Sequence, residues 1–190
     1  MKQKFNSEKN SFVRLKSWGF CFLMTLAITL SSCSSHKNLE NTYYRELARA
    51  SIKLGIDIEK NDNYKLMIES ARWLGTPYRY GGTSFNGIDC SGLSCNIYRN
   101  VYNIKLSRNS QAQLDNDVDT KVKKGKLKQG DLVFFSNKRS RKRINHVGIY
   151  LKEGKFIHAS SSKGVRMDYL DNSYWAERWI TGGRINRANK

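Results

Sequence analysis

The sequence predicts an α+β domain with its helices first and an antiparallel sheet of about five to six strands after them, and three observations predict it. Apolar residues recur at helical spacing early in the chain, with Leu66, Met67, Ala71 and Leu74 in one set and Leu93, Ile97 and Val101 in another. Later the pattern shortens to the strand-like runs Leu132-Val133-Phe134-Phe135, Val147-Gly148-Ile149-Tyr150-Leu151 and Phe156-Ile157-His158-Ala159. Turn residues punctuate those runs at Gly130-Asp131, Glu153-Gly154 and Gly182-Gly183. Helices and strands segregated in this way indicate α+β architecture rather than alternating βαβ units.

In chain order, residues 1–17 carry Lys2, Lys4, Lys9, Arg14 and Lys16 against Glu8, and an uncharged, mostly apolar stretch of 13 residues follows from Trp18 to Leu30. That is the layout of a secretory signal, and the stretch is shorter than the roughly 20 residues a membrane-crossing helix needs. It ends in Leu30-Ser31-Ser32-Cys33, which resembles a bacterial lipobox. The resemblance implies that residues 1–32 are a lipoprotein signal peptide and that Cys33 is lipidated, the alternative being an ordinary cleaved signal with a chance cysteine. Ser34 follows where an inner-membrane retention signal would place Asp, so the expected location is the outer membrane, facing the periplasm. Residues 33–63 read as a lipidated tether, mostly polar, with a weak helical pattern at Tyr44, Leu47, Ala48 and Ile52. A single domain over 64–187 is long enough to bury a core.

Export changes what the cysteines and charges mean. Of the four cysteines, Cys21 leaves with the signal and Cys33 takes the lipid, so Cys90 and Cys95 remain. Five positions along a helix turn by about 140°, which points the two thiols to different sides and leaves no disulfide framework. Loss of the signal removes five basic residues and one acidic residue and leaves 29 against 15. A cytosolic chain this basic would suggest nucleic acid; an exported one meets the carboxylates and phosphates of the cell envelope, and no nucleic-acid partner is expected. The run Lys138-Arg139-Ser140-Arg141-Lys142-Arg143 reads as a solvated loop between strands, with loose attraction to anions as the alternative.

Within the domain, the first helix ends at Gly75 and Pro77, the chain's one proline. The turn-rich segment from Tyr78 to Gly87 then leads to a helix starting near Cys90, with Asp89 at the N-cap position. Taking Cys90 as the reference, Leu93, Ile97 and Val101 lie within about 60° of it around the helix, so the thiol should face the sheet. A thiol at a helix N-terminus is favoured as thiolate. Nucleophilic catalysis needs such a thiol, an imidazole to move its proton and a third group to orient the imidazole, and His146 and His158 supply the last two residue types. Valine and isoleucine follow in the alternating runs of Val147 to Leu151 and, more weakly, Val165 to Leu170 and Ile180 to Ile185. In the hairpin around Glu153-Gly154, a two-residue loop pairs Ile149 with His158 and puts the histidines on opposite faces. A three-residue loop or an equivalent bulge puts them on one face, and catalysis requires that arrangement.

The ordered run Gly75-Thr76-Pro77-Tyr78-Arg79-Tyr80-Gly81-Gly82, Gly87-Ile88-Asp89-Cys90-Ser91-Gly92-Leu93, Arg108-Asn109-Ser110, Gly130-Asp131-Leu132, His146-Val147-Gly148-Ile149-Tyr150 and Phe156-Ile157-His158-Ala159-Ser160 resembles the NlpC/P60 family of papain-like bacterial cell-wall cysteine endopeptidases. The likeness runs from about residue 64 to 185. It implies a papain-like fold with Cys90 as nucleophile, His146 as general base and His158 as the residue that orients it. A free thiol is only about 3% thiolate at pH 7, and the helix terminus with His146 should raise that fraction. Tyr78 matches a tyrosine beside the nucleophile that helps hold the oxyanion. Asp89 and Ser91 match positions that bind a substrate amine in some members, while capping explains Asp89 equally well. Arg108, with Ser110 and Gln113, fits a family pattern near the cleft, where Ser107 replaces a common proline; Arg108 meets either a stem-peptide carboxylate or a structural partner.

The resemblance implies hydrolysis of peptidoglycan stem peptides by a monomer held to the membrane by its N-terminal lipid. Its single-domain lipoprotein form and the Tyr174-Trp175 and Arg178 pattern lean toward D-Ala–diaminopimelate cross-links, with the γ-D-glutamyl–diamino acid bond as the alternative. A zinc site on Cys90, His146 and His158 lacks paired ligand spacing, and an inactive wall-binding module is the non-enzyme alternative. No cofactor is expected, since the mechanism needs only water.

Overall fold

The computed structural model of the chain describes residues 41–137 and 140–186, the side chains of 140–142 excepted. The expected signal peptide, the expected lipidation site Cys33, the tether up to residue 40 and residues 138–139 lie outside the described residues, whereas residues 140–143 of the basic run, expected as a loop, belong to a strand. Two compact units are distinguished, Met1–Arg45 and Glu46–Lys190. Residues 41–45 of the first are helical.

The second unit starts earlier than its apolar periodicity suggests. Helix α1, residues 46–54, buries Ala50 and Leu54, and Ile56 follows it into the core after a left-handed turn at Gly55 (φ +59°). In the segment expected as a tether through residue 63, Ala50, Leu54 and Ile56 thus join the core. Ile52, part of the pattern read from the sequence, is 82% exposed, and the i, i+4 pair Ala50 and Leu54 makes the contact instead. Helix α2, Tyr64–Trp73, is capped by Asn63, whose side chain accepts the Leu66 N–H, and it buries Leu66, Met67, Ser70, Ala71 and Trp73. Gly75 (φ +83°) follows its end. The turn-rich segment forms a small hairpin of β1, Thr83–Ser84, and β2, Gly87–Ile88. Helix α3, Cys90–Tyr102, starts at its Asp89 cap and stops at the left-handed Asn103 (φ 57°), and a short α4, Ser110–Ala112, runs into a π turn at Gln113–Asp117.

The sheet has six strands: β3 (Thr120–Val122), β4 (Leu132–Asn137), β5 (Ser140–Lys152), β6 (Lys155–Ser160), β7 (Gly164–Tyr169) and β8 (Trp179–Arg184). Their order is β3-β8-β4-β5-β6-β7 and every pairing is antiparallel. The α+β expectation is met, with β3 added. That edge strand exposes Thr120 and Lys121 and buries only Val122, so it has no apolar alternation to read.

Both faces of the sheet are covered, which is why β4 reads as an unbroken apolar run. Leu132 and Phe134 join Val147, Ile149 and Ile157 in the core shared with α3 through Leu93 and Ile97. Val133 and Phe135 point the other way, to Phe156, Leu170 and Trp175. The second face is closed by α5, Ser173–Ala176, which carries Trp175.

The β5–β6 hairpin meets its register condition through a bulge. Its loop has two residues, since Lys152 pairs with Lys155, and Glu153 (φ 55°) and Gly154 (φ 76°) both take the positive φ that a type I′ turn needs. The register then shifts between Lys152 and Tyr150, so that Tyr150 pairs with Phe156 and Ile149 with Ile157. One extra residue on β5 restores equal parity, and His146 and His158 share a face.

Candidate active site

The start of α3 is built around Asp89. Its Oδ1 accepts the Gly92 N–H at 2.7 Å and its Oδ2 accepts the Gly81 N–H at 2.8 Å. Arg108 pairs with it through both guanidinium arms, at 2.6 Å to Oδ1 and 2.8 Å to Oδ2, and also donates to Ser91 Oγ at 2.7 Å and to the Gly82 carbonyl at 2.8 Å. Burial would raise the Asp89 pKa, but the Arg108 pair and the two N–H bonds outweigh it and hold the carboxyl below its usual range. Ser91 Oγ donates to the Arg108 carbonyl at 3.0 Å, and fully buried Gln113 braces Ser91 and Ser107 from behind through their carbonyls. Ser110 is buried at the start of α4 beneath its Asn109 cap. Asp89, Ser91 and Arg108 are therefore bound to one another in a clamp. Of the two readings of Asp89 the cap is the one observed, and the Arg108 guanidinium is directed at Asp89.

Cys90 opens α3 and packs partly buried against the main core. The backbone N–H groups of Val147, Ser91 and Cys90 itself act on its sulfur. Val147 follows His146 on β5, beyond the Ile149↔Ile157 end of the pairing with β6. The helix start thus meets the strand next to the first histidine. The imidazoles lie on the face turned away from α3, among Phe135, Phe156 and Trp175, whereas the thiol comes from the α3 side. One cleft of about 680 Å³ is lined by both Cys90 and His146, together with Tyr78, Trp175, Arg166 and Arg178, and His158 lies buried behind it.

The histidines form a chain of hydrogen bonds. His146 Nε2 lies 3.0 Å from His158 Nδ1, and His158 Nε2 lies 2.9 Å from Asp168 Oδ2. The same oxygen accepts the Trp175 indole N–H at 3.0 Å, and Arg166 reaches Asp168 Oδ1 at 2.9 Å. Trp175 also lies nearly parallel to the His146 ring, at 5.2 Å between centroids and 24° between planes. With Nε2 engaged by His158, Nδ1 is the other ring nitrogen of His146. Asp168 is a functional candidate that reading the sequence missed. Its signal was weak: β7 alternates poorly, and only the β6–β7 register, with His158 opposite Arg166 and Phe156 opposite Asp168, puts the carboxylate diagonal to the histidine.

Desolvation opposes the expected thiolate. Burial pushes the Cys90 thiol up, and the backbone N–H groups do not offset it. Burial and the neighbouring His158 push His146 down to about 3, with Asp168 offsetting only part. Both shifts favour the neutral thiol and the neutral imidazole, because desolvation disfavours each charged form. Burial, followed by the charges of Cys90 and Asp89, also pushes the Tyr78 phenol up, so it remains an O–H donor in the cleft. Cationic groups dominate the outer cleft: Lys163, Arg166 and Arg178 line it, and Arg178 stacks 3.6 Å over the Tyr174 ring. Among the described residues no group of three His, Cys, Asp or Glu side chains is arranged to hold a metal ion.

The family model described as NlpC/P60 family matches residues 75–184. The chain is 37% identical over 166 residues to the probable endopeptidase NlpC of Escherichia coli K12, covering 87% of this chain and 99% of that protein. It is 29% identical over 172 residues to murein DD-endopeptidase MepS/murein LD-carboxypeptidase of the same strain, covering 85% and 89%. It is 39% identical over 117 residues to gamma-DL-glutamyl hydrolase of Bacillus subtilis 168, covering 61% of this chain and 27% of that protein. Among solved structures, an NlpC/P60 family protein from Bacillus cereus aligns with a TM-score of 0.59 at 32% identity, covering 68% of this chain and 42% of that one. The chain thus spans less than half of that structure's length.

Proposed function

The chain belongs to the NlpC/P60 family, and on that premise we propose that it is a cysteine endopeptidase of peptidoglycan stem peptides, with Cys90 as nucleophile, His146 as general base and His158 as the residue that orients the base. The observation that carries this reading is the 3.0 Å bond between His146 Nε2 and His158 Nδ1 beside the cleft that Cys90 shares. Because thiol and imidazole rest neutral, the proton moves as the bond forms. The Cys90 S–H proton passes to His146 Nδ1 while sulfur attacks the peptide carbonyl carbon, and the oxyanion meets the Cys90 backbone N–H and the Tyr78 hydroxyl. His146 then delivers the proton to the leaving amine as the C–N bond breaks. Water attacks the thioester, its proton goes to His146, and the thiol is regenerated as the acid departs.

Stem peptides are anionic, which suits a cleft lined by Lys163, Arg166 and Arg178. The favoured bond is the D-Ala–diaminopimelate cross-link, supported by the likeness to a murein DD-endopeptidase along most of both chains. Cleavage between γ-D-glutamate and the diamino acid is the second reading, supported by the likeness to a gamma-DL-glutamyl hydrolase. Anchoring through lipidated Cys33 to the outer membrane, with the domain in the periplasm, completes the proposal and rests on the lipobox-like Leu30-Ser31-Ser32-Cys33. Digestion of purified muropeptides with mass identification of the fragments tests the activity. Dimers converted to monomers support the cross-link reading and shortened monomers the second. No cleavage by the parent, or equal cleavage by Cys90→Ala, sinks the peptidase.

A further inference from the structure

We infer that Asp168 is a positioning residue that fixes the tautomers of both histidines, so that His146 presents an unprotonated Nδ1 to the Cys90 thiol. The inference rests on the peptidase reading for its consequence but on the geometry of three side chains for its content. A carboxylate only accepts hydrogen bonds. At 2.9 Å from Asp168 Oδ2, His158 Nε2 must therefore carry the proton. A neutral imidazole then has only Nδ1 as acceptor, and that atom lies 3.0 Å from His146 Nε2. His146 must donate there, which places its single proton on Nε2 and leaves the Nδ1 lone pair for the thiol.

Without the carboxylate, the same two rings bond equally well in the opposite sense. His158 Nδ1–H would donate to His146 Nε2, the His146 proton would sit on Nδ1, and the thiol would face a hydrogen instead of a base. The direction of the chain is a choice between two states of similar bonding, and Asp168 makes it. The carboxylate is itself held. Trp175 on α5 donates to Oδ2 at 3.0 Å and Arg166 on β7 pairs with Oδ1 at 2.9 Å, so together with His158 on β6 every element packed against it supplies a donor. Burial would raise the Asp168 pKa, but the hydrogen bonds from His158 and Trp175 and the Arg166 charge more than offset that and keep it ionised. Burial holds His158 below its ordinary range, with Asp168 offsetting only part, so one proton per ring is the rule at neutral pH.

Histidine nitrogen NMR on the ¹⁵N-labelled chain reads the assignment directly. Both His146 and His158 are expected to carry their proton on Nε2, and a proton on Nδ1 of either overturns the inference. Asp168→Asn keeps the shape but offers an N–H₂ that stabilises the reversed chain. Its kcat is expected to fall by up to about 10⁴, the size of the carboxylate-to-amide effect in a hydrolase triad, with KM within twofold and the His146 proton moved to Nδ1. Alkylation of Cys90 by iodoacetamide, located by peptide mass, should slow at least tenfold near pH 7 and match the parent near pH 10, where hydroxide ionises the thiol unaided. A purely structural Asp168 predicts equal slowing at both pH values, or a kcat within threefold of the parent, and either result overturns the inference. If Asp168→Asn does not fold, the parent's spectrum decides. If the parent cleaves no muropeptide, the peptidase reading fails while spectrum and alkylation still test the tautomers.

Discussion

Gly148 occupies the position between His146 and Tyr150 on the second face of β5, and replacing it with alanine tests how tightly the histidine pair is held. A Cβ there would stand 2.6 Å from Phe156 Cδ2, 2.8 Å from the Ile157 carbonyl oxygen and 3.2 Å from His158 Cβ. Ordinary contacts of this kind lie at about 3.5–4.0 Å, so β6 must recede by roughly 0.7 Å. The neighbours cannot give way by rotation. Phe156 and His158 are fully buried, and Phe156 lies against Phe135 and Trp175 at ring separations of 5.2 and 5.3 Å. Overpacking of this kind costs about 1–3 kcal/mol. At about 2–4 °C per kcal/mol for a protein of this size, Gly148→Ala should melt roughly 2–12 °C below the parent. Because the displaced segment carries His158, kcat should fall disproportionately, by at least about tenfold, given that a 1 Å misplacement costs about 100-fold. Thermal unfolding by circular dichroism, with muropeptide turnover measured well below either melting point, separates the two effects. A variant that melts within about 1 °C of the parent and turns over at the parental rate would refute the packing argument.

The remaining predictions concern protons, the clamp and the oxyanion. His146 and His158 both have folded pKa values below the unfolded 6.5, so the stability they contribute is present above pH 6.5 and is lost as pH falls toward their folded values. Urea midpoints should therefore drop between about pH 7 and pH 5, above the carboxylate titrations, and a flat profile there would contradict neutral imidazoles. The free enzyme should show no thiolate absorbance from Cys90 near pH 7, and a difference against Cys90→Ala of one full thiolate would restore the ion pair. Arg108→Ala leaves the Asp89 carboxylate, 7% exposed, without its pair. Since Arg108 is itself partly exposed, the expected loss is about 2 kcal/mol, less than the ~3–5 of a fully buried pair, read as a lower denaturant midpoint. Tyr78→Phe should lower kcat about 100-fold with KM little changed if the hydroxyl holds the oxyanion, and an unchanged kcat removes it from that role.

Legibility followed the range of the interactions involved. Helices α2 and α3 and the strands from Leu132, Val147 and Phe156 were readable because caps and apolar runs are local, and Asn63, Asp89 and Gly75 act within one turn of their helices. Strand β3 and helix α5 were not, because two exposed residues beside Val122 and a four-residue turn carrying Trp175 leave no periodic trace. Helix α1 misled in a third way: its weak pattern named Ile52, while Ala50 and Leu54 chose the buried face.

The candidate site divides along the same line. By itself the sequence determined the candidate residue types, their order along the chain and the cap that starts the helix at Cys90, because each is a matter of residue identity or short-range hydrogen bonding. Only the tertiary structure decided that the hairpin bulges between Tyr150 and Lys152, that Asp168 closes the chain behind His158, and that burial disfavours the charged forms of thiol and imidazole. Register, partner and protonation depend on what non-local packing brings to each atom and on how much water it excludes, and neither quantity is written in any short stretch of the chain.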